Sequence, residues 1–179
     1  MFLLQANTTT LINVSDLRLI APELILTACA CVALVMEVIL PYRKSKLTAY
    51  FSLIGVALAF VSLALQMGSP GTVDGFYGMV RLDGFALLFK AIFLISAALA
   101  IGISTRFLDI EGEQHGEYYS LILFATVGMM FIACGYDLIS LYISLELMAL
   151  TFYVLVAFTK REKKSNEAAM KYFLLGAFS

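Results

Sequence analysis

Residues 137–159 read DLISLYISLELMALTFYVLVAFT. The stretch is apolar from end to end. At 1.5 Å rise per residue, about 20 residues cover a hydrocarbon core of about 30 Å, so this segment is long enough to cross a membrane as one helix. A single carboxylate, Glu146, interrupts it. Nine residues from Asp137 put Glu146 about 14 Å below one surface, close to the midplane. An anion at that depth costs on the order of 3 kcal/mol on insertion scales, so such groups face a protein interior or water and usually have work to do. Helical spacing brings Ile139, Tyr142, Ile143, Ala149, Leu150 and Tyr153 onto the same face, with two phenol hydroxyls expected near the acid. The stripe reads as proton-handling chemistry in an oily helix.

The rest of the chain repeats the pattern. It has 179 residues, 61% of them hydrophobic and 14% charged, with a mean hydropathy of +0.92. That is too apolar for an ordinary soluble domain and defines an integral membrane protein. No basic tract suggests nucleic acid. Cys29, Cys31 and Cys134 all lie in apolar windows, and the two of Cys-x-Cys would splay roughly 200° apart on a helix, which points to small buried residues rather than a metal site or disulfide. MFLLQANTTT lacks the basic start and cleavage site of a signal peptide.

Upstream of the quoted stretch, Leu17–Leu40 reads as a first span, with Pro22 suited to a first helical turn and Glu23 beside it complementing the positive helix end. Glu37, one turn before Pro41 and close to Arg43, Lys44 and Lys46, reads as an interfacial ion-pair residue or a buried functional acid. Leu47–Met67 is an uncharged second span, broken by Gly68, Ser69, Pro70 and Gly71. A third runs from Leu82 to Thr105 with one internal charge, Lys90, which either snorkels to the surface or points into a polar interior. An acidic loop around His115 leads to a fourth span, Tyr118–Tyr136. Gly135-Tyr136-Asp137 is then a very short turn, making the fourth and fifth helices antiparallel neighbours. Downstream come the basic residues KREKK and, from Ser165-Asn166-Glu167, the signals of a sixth helix holding Lys171.

The fold class predicted is an all-α polytopic transmembrane bundle with five complete spans plus the start of a sixth. It divides into an external segment 1–16, a five-helix region 17–159, a cytoplasmic basic loop 160–165 and a truncated sixth helix 166–179. The last of these has about 14 residues, too few to cross, so the sequence reads as the amino-terminal fragment of a longer chain. Basic residues after spans one, three and five number eight, against Arg18 and Arg81 on the other face. The positive-inside rule therefore puts the amino terminus outside and KREKK in the cytoplasm. Spans three and five then descend from the same face, and Lys90 and Glu146 are expected at similar depth.

SLYISLELMALTFYVLVAF, residues 140–158, followed by the basic loop and EAAMKYFLLGAFS, resembles the antiporter-like membrane subunits of respiratory complex I, the bacterial NADH-quinone oxidoreductase. PELIL at 22–26 and RLDGFA at 81–86 are similar to the subunit N branch of that family. The resemblance covers nearly the whole chain. It implies a proton-translocating membrane-arm subunit that couples NADH oxidation by quinone to proton transfer. It also implies partnership with other membrane-arm and peripheral-arm subunits, a multi-pass place in the bacterial inner membrane, and no cofactor on this chain. NADH, FMN, iron-sulfur clusters and quinone belong to the wider complex. Glu146 matches the family's fifth-helix pumping glutamate, and Lys171 its sixth-helix lysine of the charged interior. Lys90, Glu37, Tyr142 and Tyr153 are further candidates, for the proton path or for structure. A subunit of a multisubunit cation/proton antiporter and a passive membrane scaffold remain as alternatives.

Overall fold

The computed structural model describes residues 14–39, 45–68, 71–111, 116–159 and 163–178. Five of its helices are long and apolar enough to cross a membrane. Among the described residues the first element is a short helix α1 (Val14–Leu19), which after a turn at Ile20 is followed by α2 (Ala21–Ile39). The single expected span from Leu17 is thus two helices. Pro22 lies in the first turn of the second, where its missing N–H and fixed φ are tolerated. α3 (Ser45–Gln66) returns across the bundle. The segment expected as a plain loop after it holds a small antiparallel hairpin, β1 (Val73–Gly75) with β2 (Val80–Leu82), in the register Val73 to Leu82 and Gly75 to Val80. Its turn places Phe76 at φ 51°, Tyr77 at φ 56° and Gly78 at φ 88°, a left-handed run that only the glycine adopts without steric cost.

α4 (Gly84–Glu111) starts immediately after the hairpin. The Asp83 carboxylate accepts from the Ala86 backbone N–H at 2.7 Å, satisfying one of the orphan donors of its first turn. α4 runs six residues past the expected end at Thr105, taking up the beginning of the acidic loop. His115 and Glu113 lie outside the described residues. α5 (Glu117–Cys134), α6 (Leu138–Val156) and α7 (Lys163–Ala177) complete the order. The last begins three residues before Asn166, so Lys163 and Lys164 sit in its first turn.

α5 is the axle of the bundle. It packs against α2, α4 and α6, and more lightly against α3. It is apolar on every side, and half of its span is buried, against 11% for α6. Lipid tails are as apolar as leucine, so the helices associate through close packing of small residues rather than through a hydrophobic drive. Ala30, Ala59 and Ala97 lie in the main core with Leu26, Leu94 and Leu123. Where α5 meets α6, a Cβ added at Gly128 would sit 2.9 Å from the Met148 nitrogen and 3.0 Å from the Ser144 carbonyl oxygen. Only glycine permits that approach.

The hairpin defines one end of the molecule. Val80 bridges to Gly135, between α5 and α6, and the Tyr136 N–H donates to the Met79 carbonyl at 2.9 Å. Arg81 forms two hydrogen bonds to Asp74, at 2.7 and 3.1 Å, and its guanidinium lies 3.7 Å above the Tyr136 ring centre. The Gln66 amide at the end of α3 donates to the Arg18 carbonyl of α1 at 2.6 Å. The starts of α2, α4 and α6 therefore share this hairpin face. At the opposite, basic-loop face, the Ser165 hydroxyl donates to the Val156 carbonyl at 2.5 Å.

Candidate functional site

α6 owes its start to Asp137, whose extended backbone and side chain cap the helix by accepting from the Ile139 N–H at 3.2 Å. Its hydroxyls are satisfied within the helix: Ser144 donates to the Ser140 carbonyl and Thr151 to the Leu147 carbonyl, each at 2.6 Å. Spent in this way, they can face α5 without a stranded polar group. Ser144, Met148 and Thr151 form the α5-facing stripe. Glu146 is turned about 200° from Ser144 and is half-buried. Eight residues from the helix start put it about 12 Å in from the hairpin face. Among the described residues it makes no hydrogen bond or ion pair.

Neither of the two phenols expected near Glu146 hydrogen-bonds to it among the described residues. Tyr142 is 67% exposed. Tyr153 lies about 20° around the helix from Glu146, but α7 engages it. Its hydroxyl packs on Gly176, and its ring stands edge-on to Tyr172 at 4.9 Å and Phe173 at 5.6 Å. The Glu146 face is thus the face that meets α7. An open groove of about 640 Å³ lies where α5, α6 and α7 converge, lined by Glu117, Leu121, Tyr153, Phe158, Asn166 and Met170 among others.

Lys171 is exposed and pairs with Glu167 one turn back, at 2.6 Å. The same helix places Tyr172 and Gly176 against Tyr153, so Lys171 is level with that part of α6. It is about 10 Å along the axis from Glu146, seven residues nearer the helix start. The two residues expected to work together are not in contact.

The structure joins two residues that the sequence kept apart. Glu23, expected as a helix-end carboxylate, and Lys90, expected to snorkel or to enter a polar interior, meet at 2.6 Å with both side chains wholly buried. Six residues into α4, the Lys90 backbone is about 9 Å from the hairpin face, against about 12 Å for Glu146, so the two do share a depth. The Lys90 side chain reaches Glu23 in the first turn of α2. The ion contact is close but off the hydrogen-bond line, and both Glu23 oxygens and the Lys90 Nζ lack a hydrogen-bond partner among the described residues. Cys134, at the end of α5, is within interaction range of both charges. A pairing signal was present: each group is near the same face on spans running the same way, and neither can stay charged and alone in lipid.

Glu37 is half-buried. Its carboxylate sits against Gly116, as does the Thr48 hydroxyl, where α2, α3 and the start of α5 come together at the basic-loop face. Arg43 and Lys44, its expected partners, lie outside the described residues. Cys29 touches Gly55 of α3, while Cys31 is exposed, so the thiols are dispersed.

A buried ion pair, a half-buried carboxylate within a span and a helix bundle packed through small residues are compatible with a polytopic membrane protein that carries charge inside its bundle. Residues 135–179 match the family model described as NADH:quinone oxidoreductase/Mrp antiporter, transmembrane. The chain is 46% identical over 177 residues to NADH-quinone oxidoreductase subunit N 1 of Koribacter versatilis, covering 94% of this chain and 35% of that protein. It is 44% identical over 173 residues to subunit N of Trichlorobacter lovleyi, covering 97% and 35%. A chain of respiratory complex I from Thermus thermophilus, solved with bound aureothin, superposes with a TM-score of 0.70 at 30% identity, over 88% of this chain and 33% of that one. Over most of its length the chain is therefore similar to NADH-quinone oxidoreductase subunit N, and it spans about a third of the length of the curated relatives it matches.

Proposed function

We propose that this chain is part of a proton-translocating membrane-arm subunit of an NADH-quinone oxidoreductase. Redox energy released in other subunits would drive proton transfer through it. The observation that carries the reading is Glu146: a half-buried carboxylate near mid-depth, without a partner among the described residues, on the face of α6 that meets α7. In a low dielectric, a change of nearby charge shifts the proton affinity of such a group strongly. That converts an electrostatic signal into uptake or release of a proton.

In this reading Glu146 holds the proton, and the groove beside Glu117 and Asn166 is the approach from the basic-loop face. Lys171 belongs to that approach rather than to a direct pair with Glu146. Glu37 is a second polar group on the same face, Tyr153 has a packing role against α7, and Tyr142 is an exposed side chain one turn before Glu146. The loop charges orient the basic-loop face to the cytoplasm and the hairpin face, with the amino terminus, outside. The membrane is the bacterial inner membrane, the partners are the other subunits of the complex, and NADH, FMN, iron-sulfur clusters and quinone are held by those partners. This chain supplies no redox group.

Replacing Glu146 by Gln in the full-length protein keeps the shape and removes the titration. The expected result is normal insertion with fewer protons moved per electron in sealed vesicles. An unchanged ratio would sink the reading.

A further inference from the structure

Glu23 and Lys90 form a buried pair that the Glu146 reading leaves unused. Both are fully buried, and each has open valences: a carboxylate can accept at about four sites and an ammonium donates three protons, yet the described residues provide one unaligned ion contact and the neighbouring Cys134 thiol. Packed apolar residues adjoin the pair on the hairpin side. Leu19 of α1, Val80 and Leu82 of β2, Ala86 of α4 and Cys134 of α5 form one cluster, with Phe76 of the turn packed against it. Leu19 in turn presses on Gly75 of β1. The charged groups facing the pair's neighbourhood are few. The Cys134 thiol is contributed by α5, Asp83 is spent capping α4, and Asp74 and Arg81 are spent on each other in the hairpin.

We propose that Glu23 and Lys90 form a second proton-holding site, separate from Glu146, that binds water and stands behind an apolar gate built by α1 and the hairpin. A water molecule touching the second Glu23 oxygen, the Lys90 ammonium and the Cys134 sulfur has the two to four polar partners that buried water requires. The transfer balances within the pair. An N–H bond of the Lys90 ammonium breaks and an O–H bond forms on Glu23, leaving an amine and a carboxylic acid, and the reverse step restores the ions. In low dielectric the neutral and ionic forms approach each other in free energy, because burying charge is what the ionic form must overcome. Water entering past Leu19 and Val80 would then exchange the proton with the hairpin face. This inference rests on the proton-translocation reading, but not on Glu146.

The test uses the full-length protein in its native membrane assembly. Infrared difference spectra during turnover report protonation of a carboxylate as a carboxylic-acid C=O band that shifts in deuterated water. The expected band is present in the wild type and in Glu146→Gln, and absent in Glu23→Gln. The paired variant Glu23→Leu with Lys90→Met leaves no stranded charge, so it should insert at the wild-type level yet move fewer protons per electron. No Glu23-dependent band, or a paired variant with the full ratio, would overturn the proposal and leave a purely structural pin. Should the paired variant fail to insert, the exchanged pair Glu23→Lys with Lys90→Glu retains both groups. A missing carboxylic-acid band in that variant overturns the proposal equally. A full ratio in Glu146→Gln with a lowered one in the paired variant would sink the Glu146 reading alone, and the converse would sink this one alone.

Discussion

Substitution of Gly128 tests the central packing of the bundle. A Cβ there would lie 2.9 Å from the Met148 nitrogen, 3.0 Å from the Met148 Cβ and 3.0 Å from the Ser144 carbonyl oxygen. Carbon contacts are comfortable at about 3.5–4.0 Å, so α5 and α6 must separate by about half an ångström or more at the crossing. Backbone atoms supply two of the three contacts, so no rotamer change relieves them. α5 cannot retreat cheaply, because its other faces are packed on α2 and α4. Inserting one methyl into such a seam costs about 1–3 kcal/mol, with Ala at the lower end and Val at or above the upper end. The control is Gly102→Ala: nothing lies within 4 Å of its added Cβ, and removing a helical glycine gains about 0.5–1 kcal/mol. Unfolding the full-length protein with SDS in mixed micelles, followed by circular dichroism, should rank the variants as Gly102→Ala, wild type, Gly128→Ala, Gly128→Val. A Gly128→Val midpoint equal to that of the wild type would refute close approach of the two helices.

Lys90→Met alone should cost about 3–5 kcal/mol by stranding the Glu23 carboxylate, and adding Glu23→Leu should recover most of it; the same SDS titration reads both, and additive losses would contradict the pairing. In the hairpin, the Arg81 hydrogen bond, helped by its charge, holds the Asp74 carboxyl below the usual carboxylate range. Its folded value is depressed, so the pair's contribution is complete above the unfolded value of about 3.9 and is lost as pH falls through the lower folded value. Amide protection factors across Val73–Leu82, which remove the intrinsic pH dependence of exchange, should accordingly be constant from neutral pH to about pH 4 and fall below it. In Arg81→Gln no partner depresses the Asp74 carboxyl, so protection should be lower and this acid-side change should disappear.

The spans were legible because hydropathy over about 20 residues is a collective signal that no single residue can spoil. The hairpin escaped notice since three-residue strands give no periodicity, and its partner is Gly135, more than 50 residues away. Glu23 was misread because a carboxylate two residues into a helix looks like a response to the helix dipole, a local explanation. Only the three-dimensional packing around α5 shows that Lys90 takes it instead. The positions of Tyr142 and Tyr153 show the same limit: a shared helical face does not decide which neighbour claims a side chain, and α7 claims Tyr153.

The link between β2 and Gly135 also fixes a sequence of events during synthesis. The strand emerges from the ribosome before α4, but the residues that complete its contacts, Gly135 and Tyr136, follow only after α4 and α5 have been made. The third and fourth spans must therefore enter the bilayer as a loosely held pair and be locked in height afterwards, when the turn into α6 arrives to close the latch. A lesion at Val80, Arg81 or Tyr136 would leave each helix able to insert, while the bundle stays open to wrong vertical registers. Its signature would be protein that reaches the membrane in normal amount but is slow to become resistant to protease.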